Sequence, residues 1–102
     1  MPRGTAKTDM AYYVYVLGSI KKYKRLTYVG YTNNLRKRLN SHNRGSGAKF
    51  TRGRNWKILY SERYLTKNEA ISREYYIKKN RKLRNLIKKN FYGKKNSNFI
   101  TL

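Results

Sequence analysis

The fold of this chain is decided by residues 26–43, LTYVGYTNNLRKRLNSHN. The first part of this stretch is mostly aromatic and β-branched, which predicts a strand. The second part places Leu35 and Leu39 four residues apart, which predicts a helix that buries one apolar stripe. Arg38 and His42 have the same spacing and therefore lie one turn apart beside that stripe. A tyrosine-rich strand thus passes directly into a helix that presents an arginine and a histidine on one side.

Further elements on both sides of this stretch complete an α+β fold. The first strand is expected to end at Gly18 and to form a hairpin with the second through a moderately long connection. Asn33 or Asn34 is expected to cap the first helix, and Thr66 with Glu69 forms a capping box for the second. The predicted strands are residues 11–18, 26–32 and 56–64, and the predicted helices are residues 33–43, 66–80 and 81–91. This order predicts a small three-stranded, mainly antiparallel sheet flanked by helices.

The length of 102 residues fits one domain. We expect a flexible leader at residues 1–10, a folded domain at residues 11–91 and a basic, polar tail at residues 92–102. The chain has no cysteine, which excludes disulfides and thiolate metal sites and fits a cytoplasmic protein. It also has no apolar run long enough to predict a membrane span.

Charge is the feature that identifies the class of partner. Lysine and arginine number 26 against 4 acidic residues, which gives a net charge of +22. A small domain with this charge repels itself unless a polyanion is near. Nucleic acid is the expected partner, in the form of single- or double-stranded DNA, with RNA left open. An acidic membrane is the weaker alternative, because the basic residues are spread along the chain and form no single amphipathic helix.

Few side chains could serve as carboxylate ligands of a metal. The acidic residues of the chain are Asp9, Glu62, Glu69 and Glu74. Asp9 lies in the leader, and Glu69 has a capping role. Glu74 stands beside the apolar face of its helix, where a carboxylate is either ion-paired or functional. Arg73 and Lys78 are candidates for the ion pair, and the spacing alone leaves both interpretations open.

Four further side chains are candidates for chemistry. His42 is the only histidine of the chain. A lone histidine is more often a surface or packing residue than a catalyst, but the spacing to Arg38 favours a shared site somewhat. Arg38 fits a solvated basic helix face or an anion site. Alternation along the strands lets the predicted hairpin bring Tyr15 and Tyr28 to one face. A phenol is a poor base because its pKa is about 10, and neighbouring cations are expected to lower that value.

Taken in order, these residues resemble the pattern of the GIY-YIG endonuclease family, in its small, stand-alone, single-domain bacterial branch. The first motif corresponds to residues 13–15, YVY, and the second to residues 28–30, YVG. Arg38 and His42 follow at matching distances, and Glu74 stands on the later helix where the family carries a glutamate. The resemblance extends over residues 11–89. The chain departs from the family at two positions: Tyr13 replaces the first glycine, and Tyr31 follows the second motif where some members have lysine.

The resemblance implies a metal-dependent endonuclease that hydrolyses DNA phosphodiester bonds. It implies that Glu74 binds one Mg²⁺ or Mn²⁺, that Tyr15 is the general base, and that Arg38 binds the scissile phosphate. Tyr28 and His42 would position Tyr15 or share its proton. Selectivity for DNA structure or strand state, rather than base sequence, and a role in DNA repair or processing are expected. The alternative is a non-catalytic basic protein that binds nucleic acid.

The resemblance also implies residues that contact the nucleic-acid backbone. They lie in the glycine-rich basic loop and on the later helix: Lys49, Arg52, Arg54, Lys78 and Lys79. Several family members carry a late asparagine at the site. Here Asn85 is the nearest candidate in spacing, with Asn80 and Asn90 as weaker ones.

Overall fold

The computed structural model describes residues 11–21 and 23–100, and the side chains of residues 11–20 and 23–93. The elements are β1 Tyr12–Lys21, β2 Lys24–Thr32, α1 Leu35–Arg44, a 3-10 turn Lys49–Thr51, β3 Lys57–Tyr64, α2 Lys67–Lys79 and α3 Arg81–Ile100. The strands form one sheet in the order β2-β1-β3, and both pairings are antiparallel. The predicted α+β architecture, with three strands flanked by helices, is confirmed.

The hairpin between β1 and β2 is tighter than predicted. β1 continues past Gly18, and pairing extends to Lys21 opposite Lys24, so the moderately long connection predicted there is wrong. Tyr23 in the turn has φ 71°, and two-residue hairpin turns need such left-handed conformations. Gly18 does not end the strand but makes room for β3, because a Cβ at Gly18 would lie 2.6 Å from Cδ1 of Leu59.

Helices cover both faces of the sheet. Alternation along β1 directs Val14 and Val16 into one apolar cluster, which includes Ile77 of α2 and Ile87 of α3. The residues between them point to the opposite face. This opposite face carries a second apolar cluster, which contains Tyr15, Leu17 and Trp56. The α1 residues Leu35 and Leu39 pack against it. The leucine stripe of α1 is therefore core, as its spacing predicts.

The helices begin at side-chain caps. Asn34, rather than Asn33, caps α1 by accepting a hydrogen bond from the backbone N–H of Lys37 at 3.1 Å. Thr66 caps α2 by accepting from the N–H of Glu69 at 3.2 Å, and its hydroxyl donates to the Glu69 carboxylate at 3.0 Å. These bonds satisfy N–H groups that have no partner within the helix. The predicted helix starts thus rest on specific polar contacts.

The last helix is longer than predicted. It extends through Gly93 to Ile100, whereas the sequence predicted an end at residue 91. No proline interrupts residues 92–100, and a glycine within a helix costs only about 1 kcal/mol relative to alanine. The predicted leader at residues 1–10 lies outside the described residues. Within the described part of the chain, every helix is too short or too polar to cross a membrane.

Candidate active site

A small cleft of about 280 Å³ brings together residues from both faces of the sheet. Its lining residues are Tyr15, Tyr28, Gly30, Tyr31, Arg38 and Glu74. Arg38 comes from α1 and Glu74 from α2, two helices that pack on opposite faces. The cleft therefore lies at the rim of the sheet, beside the edge strand β2. We call it the tyrosine cleft. It contains four of the five residues predicted as catalytic, and the fifth, His42, is fully buried behind it.

Tyr15 contacts both His42 and Arg38 through its phenol oxygen. Its phenol oxygen lies 3.0 Å from Nε2 of His42 and accepts a hydrogen bond from Nε of Arg38 at 3.3 Å. The ring of Tyr28 lies 4.8 Å from that of His42, measured between centroids. The i, i+4 spacing of Arg38 and His42 thus brings both side chains to the phenol of Tyr15.

Two glycines make room for the side chains of Tyr15 and His42. Gly30 stands directly opposite Tyr15 in the β1–β2 register, and a Cβ there would lie 2.5 Å from the Tyr15 phenol oxygen. A Cβ at Gly47 would lie 2.6 Å from Nδ1 of His42. Both distances are far below ordinary van der Waals contact. The glycine that closes the YVG motif is therefore required by the buried tyrosine across the hairpin.

Thr51 is a site residue that the sequence reasoning missed. It is fully buried, and its Oγ1 lies 2.9 Å from Nδ1 of His42. The same hydroxyl donates to the backbone carbonyl of Ala48 at 2.8 Å. Nothing in the sequence distinguishes this threonine from other loop residues, because its role depends on how residues 44–56 fold back onto α1.

Burial controls the protonation of the central pair. Burial raises the pKa of Tyr15 above its ordinary value, and the hydrogen bond and charge of Arg38 offset this effect only in part. Arg38 thus lowers the pKa of Tyr15, as expected of a neighbouring cation, but burial has the larger effect and the pKa is raised overall. Burial, followed by the charge of Arg38, lowers the pKa of His42. At neutral pH the pair is a protonated phenol beside a neutral imidazole.

Glu74 forms one of the ion pairs that its position allows, and it also lines the tyrosine cleft. Its side chain lines the tyrosine cleft and is 20% exposed, and Oε2 forms an ion pair with Nζ of Lys78 at 3.1 Å. Arg73, the other candidate partner, turns away and binds Glu62. An ion pair with a largely exposed lysine contributes little to stability, so Glu74 remains available to other cations.

Glu62 belongs to a separate, structural network. Its carboxylate accepts two hydrogen bonds from Arg73, at 2.8 and 3.0 Å. The hydroxyls of Tyr60 and Tyr64 donate to it as well. Burial alone would raise the pKa of Glu62, but these hydrogen bonds lower it overall. Within residues 11–21 and 23–100, no three histidine or carboxylate side chains converge as a metal-binding group.

The residues predicted to contact the nucleic-acid backbone lie outside the lining of the cleft. Lys49, Arg52, Lys78 and Lys79 are exposed and Arg54 is half-buried, and none of the five lines the tyrosine cleft. Lys78 reaches it through the ion pair with Glu74. Lys79 instead stands over the ring of Tyr75, 5.1 Å from its centroid.

The candidates for the late asparagine also lie away from the cleft. Asn80 caps α3, with its side-chain oxygen accepting from the N–H of Leu83 at 3.0 Å. Asn85 is exposed, and Asn90 lines a separate apolar groove between β3 and α3. None of the three lines the tyrosine cleft, and the late asparagine stays a prediction.

Phe50 is an exposed aromatic residue beside Tyr28 that the sequence reasoning did not single out. It is 52% exposed, and its ring is nearly parallel to that of Tyr28, at an angle of 20° and a centroid distance of 6.4 Å. Lys49 precedes it and Arg52 follows two residues later. The basic loop thus contacts Tyr28, a residue of the tyrosine cleft, through a partly exposed aromatic ring.

Comparison with known proteins identifies the family. Residues 11–90 match the model of the GIY-YIG catalytic domain. The chain is 54% identical over 68 residues to UPF0213 protein CPE1444 of Clostridium perfringens, covering 66% of this chain and 70% of that protein. It is 45% identical over 71 residues to UPF0213 protein OB0043 of Oceanobacillus iheyensis, covering 69% and 79%.

A further relative is UPF0213 protein YazA of Bacillus subtilis, which is 49% identical over 53 residues, covering 51% of this chain and 54% of that protein. No solved structure matches the chain. The family match covers most of the chain and contains every residue of the tyrosine cleft. This chain therefore belongs to the family of GIY-YIG catalytic domains, as its motifs predicted.

Proposed function

We propose that this protein is a metal-dependent endonuclease that hydrolyses DNA phosphodiester bonds in the tyrosine cleft. Membership of the GIY-YIG family indicates a nuclease that acts on nucleic acid. The observation that carries the proposal is the composition of the cleft, where the phenol of Tyr15, the guanidinium of Arg38 and the carboxylate of Glu74 share one small space. A base, an anion binder and a carboxylate are the groups that phosphodiester hydrolysis requires.

In this proposal Tyr15 takes a proton from the attacking water. Its own proton moves to Nε2 of His42, which lies 3.0 Å away and is neutral because its pKa is lowered. Arg38 binds the scissile phosphate and offsets the charge that develops in the transition state. Tyr28 orients the water or Tyr15 from the other side of the cleft. The acceptor for the proton is thus already in contact with the base.

Glu74 would hold a single Mg²⁺ or Mn²⁺ in this cleft. Such an ion supplies Lewis-acid stabilisation of the phosphate and of the leaving 3′ oxygen. The residues fit an ion of this kind, since Mg²⁺ takes one or two protein carboxylates and completes its shell with waters and substrate phosphate. Glu74 is the one carboxylate among the lining residues, and it suffices for that mode of binding.

The basic residues around the cleft would hold the DNA backbone. We assign this role to the exposed or half-buried cations Lys49, Arg52, Arg54, Lys78 and Lys79. Phe50 supports selectivity for strand state, because an exposed ring can stack on an unpaired base but not on one held in a duplex. We place the activity in DNA repair or processing in the cytoplasm, without recognition of base sequence.

A non-catalytic nucleic-acid-binding protein is the second candidate, and the net charge of +22 favours it. One assay separates the two. Labelled single- and double-stranded DNA is incubated with the protein and Mn²⁺, Mg²⁺ or a chelator. The variants Tyr15→Phe and Glu74→Gln are compared with matched controls, Tyr13→Phe on the same strand and Glu69→Gln on the same helix.

The enzyme proposal requires cleavage that a chelator abolishes. The Tyr15→Phe variant should cleave about 10²- to 10⁴-fold more slowly than the wild type, because the base is lost. Its DNA affinity should remain close to that of the wild type. Both control variants should cleave and bind DNA like the wild type. Binding without cleavage under every metal condition would establish the second candidate instead. A Tyr15→Phe protein that cleaves at the wild-type rate would remove Tyr15 from the mechanism.

A further inference from the structure

A buried chain of hydrogen bonds connects the glycine-rich loop to the tyrosine cleft. It runs from the carbonyl of Ala48 to the hydroxyl of Thr51 at 2.8 Å, and from there to Nδ1 of His42 at 2.9 Å. Nε2 of His42 then lies 3.0 Å from the phenol oxygen of Tyr15. Thr51 and His42 are 0% exposed and Tyr15 is 1% exposed. Thr51 and His42 are therefore shielded from water, and the chain of contacts meets the tyrosine cleft at Tyr15.

The chemistry of the groups fixes the direction of every bond. A carbonyl can only accept, so the single hydroxyl proton of Thr51 is donated to Ala48. Thr51 must then accept from His42, which places a hydrogen on Nδ1. A neutral imidazole carries one such hydrogen, so Nε2 is left with its lone pair. The bond between Nε2 and Tyr15 can only be one in which the phenol donates.

We propose that Thr51 is a positioning residue that holds His42 in the Nδ1–H form and thereby makes Nε2 the proton acceptor of Tyr15. The catalytic part of this inference rests on the proposed function, whereas the tautomer assignment rests on the hydrogen-bond geometry and on the neutral state of His42. With Thr51 absent, His42 could carry its hydrogen on Nε2. It would then donate to Tyr15 rather than accept from it, and the phenol would have no acceptor for its proton.

The proton transfers balance in this arrangement. The attacking water gives one proton to the phenol oxygen of Tyr15 while the phenol gives its own to Nε2 of His42. The oxygen of the water forms the new bond to phosphorus, and the bond from phosphorus to the leaving oxygen breaks. His42 becomes an imidazolium whose Nδ1–H stays hydrogen-bonded to Thr51. The leaving 3′ oxygen takes up a proton from solvent, and His42 gives its extra proton back to solvent through Tyr15 when the product leaves.

The surroundings of Thr51 hold it in place. Its backbone carbonyl accepts a hydrogen bond from Nε1 of Trp56 at 2.9 Å. The backbone of Trp56 is in turn bound twice by the side chain of Asn43 at the end of α1. Gly47 leaves the space beside Nδ1 that a Cβ would fill. The loop is thus anchored to the same helix that carries His42.

The charged and titratable groups that face His42 from the neighbouring elements favour a neutral imidazole. Tyr15 of β1 and Tyr28 of β2 lie against its ring, and Arg38 of α1 lowers its pKa by its charge. No carboxylate is hydrogen-bonded to it within the described residues. A threonine hydroxyl therefore does the orienting that a carboxylate performs in many other histidine relays.

The experiment compares Thr51→Val, which keeps the shape and loses the hydroxyl, with Thr51→Ser, which keeps the hydroxyl. Because His42 is the only histidine, the ¹⁵N spectrum of labelled protein at pH 8 reports its tautomer without ambiguity. We expect the Nδ1–H form in the wild type and in Thr51→Ser, and a mixed or Nε2–H form in Thr51→Val. Single-turnover cleavage should fall about 10- to 100-fold in Thr51→Val, with DNA affinity unchanged and with recovery in Thr51→Ser.

An Nε2–H tautomer in the wild-type protein would overturn the proposal without any variant. So would a Thr51→Val protein that keeps both the wild-type tautomer and the wild-type rate. If the wild type shows the Nδ1–H form, loses it in Thr51→Val and cleaves no DNA, the role of Thr51 in setting the tautomer is supported. In that case only the proposed nuclease function fails.

Discussion

Replacing Gly30 by alanine should displace Tyr15 and lower both stability and cleavage. The added Cβ would lie 2.5 Å from the phenol oxygen and 2.7 Å from Cζ of Tyr15. Tyr15 cannot swing aside, because its side chain is buried. The oxygen must move by about 0.9 Å to reach 3.4 Å, the short end of ordinary contact. Catalytic groups tolerate displacements of only about 0.5 Å.

The expected magnitudes follow from this displacement. Overpacking a well-filled core costs about 1–3 kcal/mol. With a slope of about 1.5 kcal/mol per molar urea, the midpoint of unfolding should fall by roughly 1 M. A misplacement of about 1 Å can slow an enzymatic reaction about 100-fold. We expect a loss of that order in single-turnover DNA cleavage, with little change in DNA affinity, since the loop and helix cations are untouched.

Two further variants make the test specific. Gly93→Ala in α3 is the matched control, because its Cβ would meet nothing within 4 Å. It should leave the stability unchanged or raise it by up to about 1 kcal/mol. Combining Gly30→Ala with Tyr15→Phe removes the closest clashing atom, so the destabilisation should be smaller than the sum of the two single changes. A Gly30→Ala protein with the wild-type urea midpoint and rate would refute the reasoning.

Three other predictions concern protonation, the Glu62 network and charge. Folding lowers the pKa of His42. The contribution of neutral His42 to the free energy of unfolding is therefore complete above about pH 6.5 and is lost as the pH falls through the folded-state pKa. The free energy of unfolding should change by at most about 1.4 kcal/mol per pH unit in this range. Urea titrations from pH 8 to pH 5 should show this slope, and an equal slope in His42→Gln would contradict it. Glu62→Gln should destabilise the protein by about 1–3 kcal/mol through lost bonds to Arg73, measured by thermal unfolding, and a change below about 0.5 kcal/mol would argue against the network. If five basic side chains contact DNA phosphates, log affinity against log salt should have a slope of about −3 to −5, and a flat response would exclude phosphate binding.

The sequence was sufficient for the elements whose signals are local. The capping side chains Asn34 and Thr66 start their helices as their residue types predict. The hairpin was misjudged because its determinants are not local. Gly18 is a strand residue covered by Leu59 of another strand, and Tyr23 adopts a positive φ that its residue type does not favour. A glycine in a strand pattern is compatible with a close approach or with a strand end, and only the pairing of strands distinguishes the two.

The site was predictable to the extent that spacing and motif determine it. Arg38 and His42 share a helix side, and Tyr15 lies across the hairpin, so local geometry brings them together. Thr51 could not be found in this way, since its contact with His42 depends on a loop that is held by Trp56. The direction of the pKa shift of Tyr15 could not be predicted from the sequence either. The number of cations in a sequence does not reveal how strongly burial opposes their effect on the pKa of a phenol.

The chemistry of the cleft depends on how the few carboxylates are divided between structure and function. Glu62 accepts four hydrogen bonds, two of them from Arg73, so releasing it for a metal would leave several half-buried polar groups without this partner. Glu74 has one ion pair, with the largely exposed Lys78, and exchanging such a partner costs at most about 1 kcal/mol. Of these two acids, only Glu74 can exchange one cation for another without disturbing the fold. The difference in hydrogen bonding between Glu62 and Glu74 therefore supports our proposal that Glu74 binds the metal. This support is more direct than that of its sequence position.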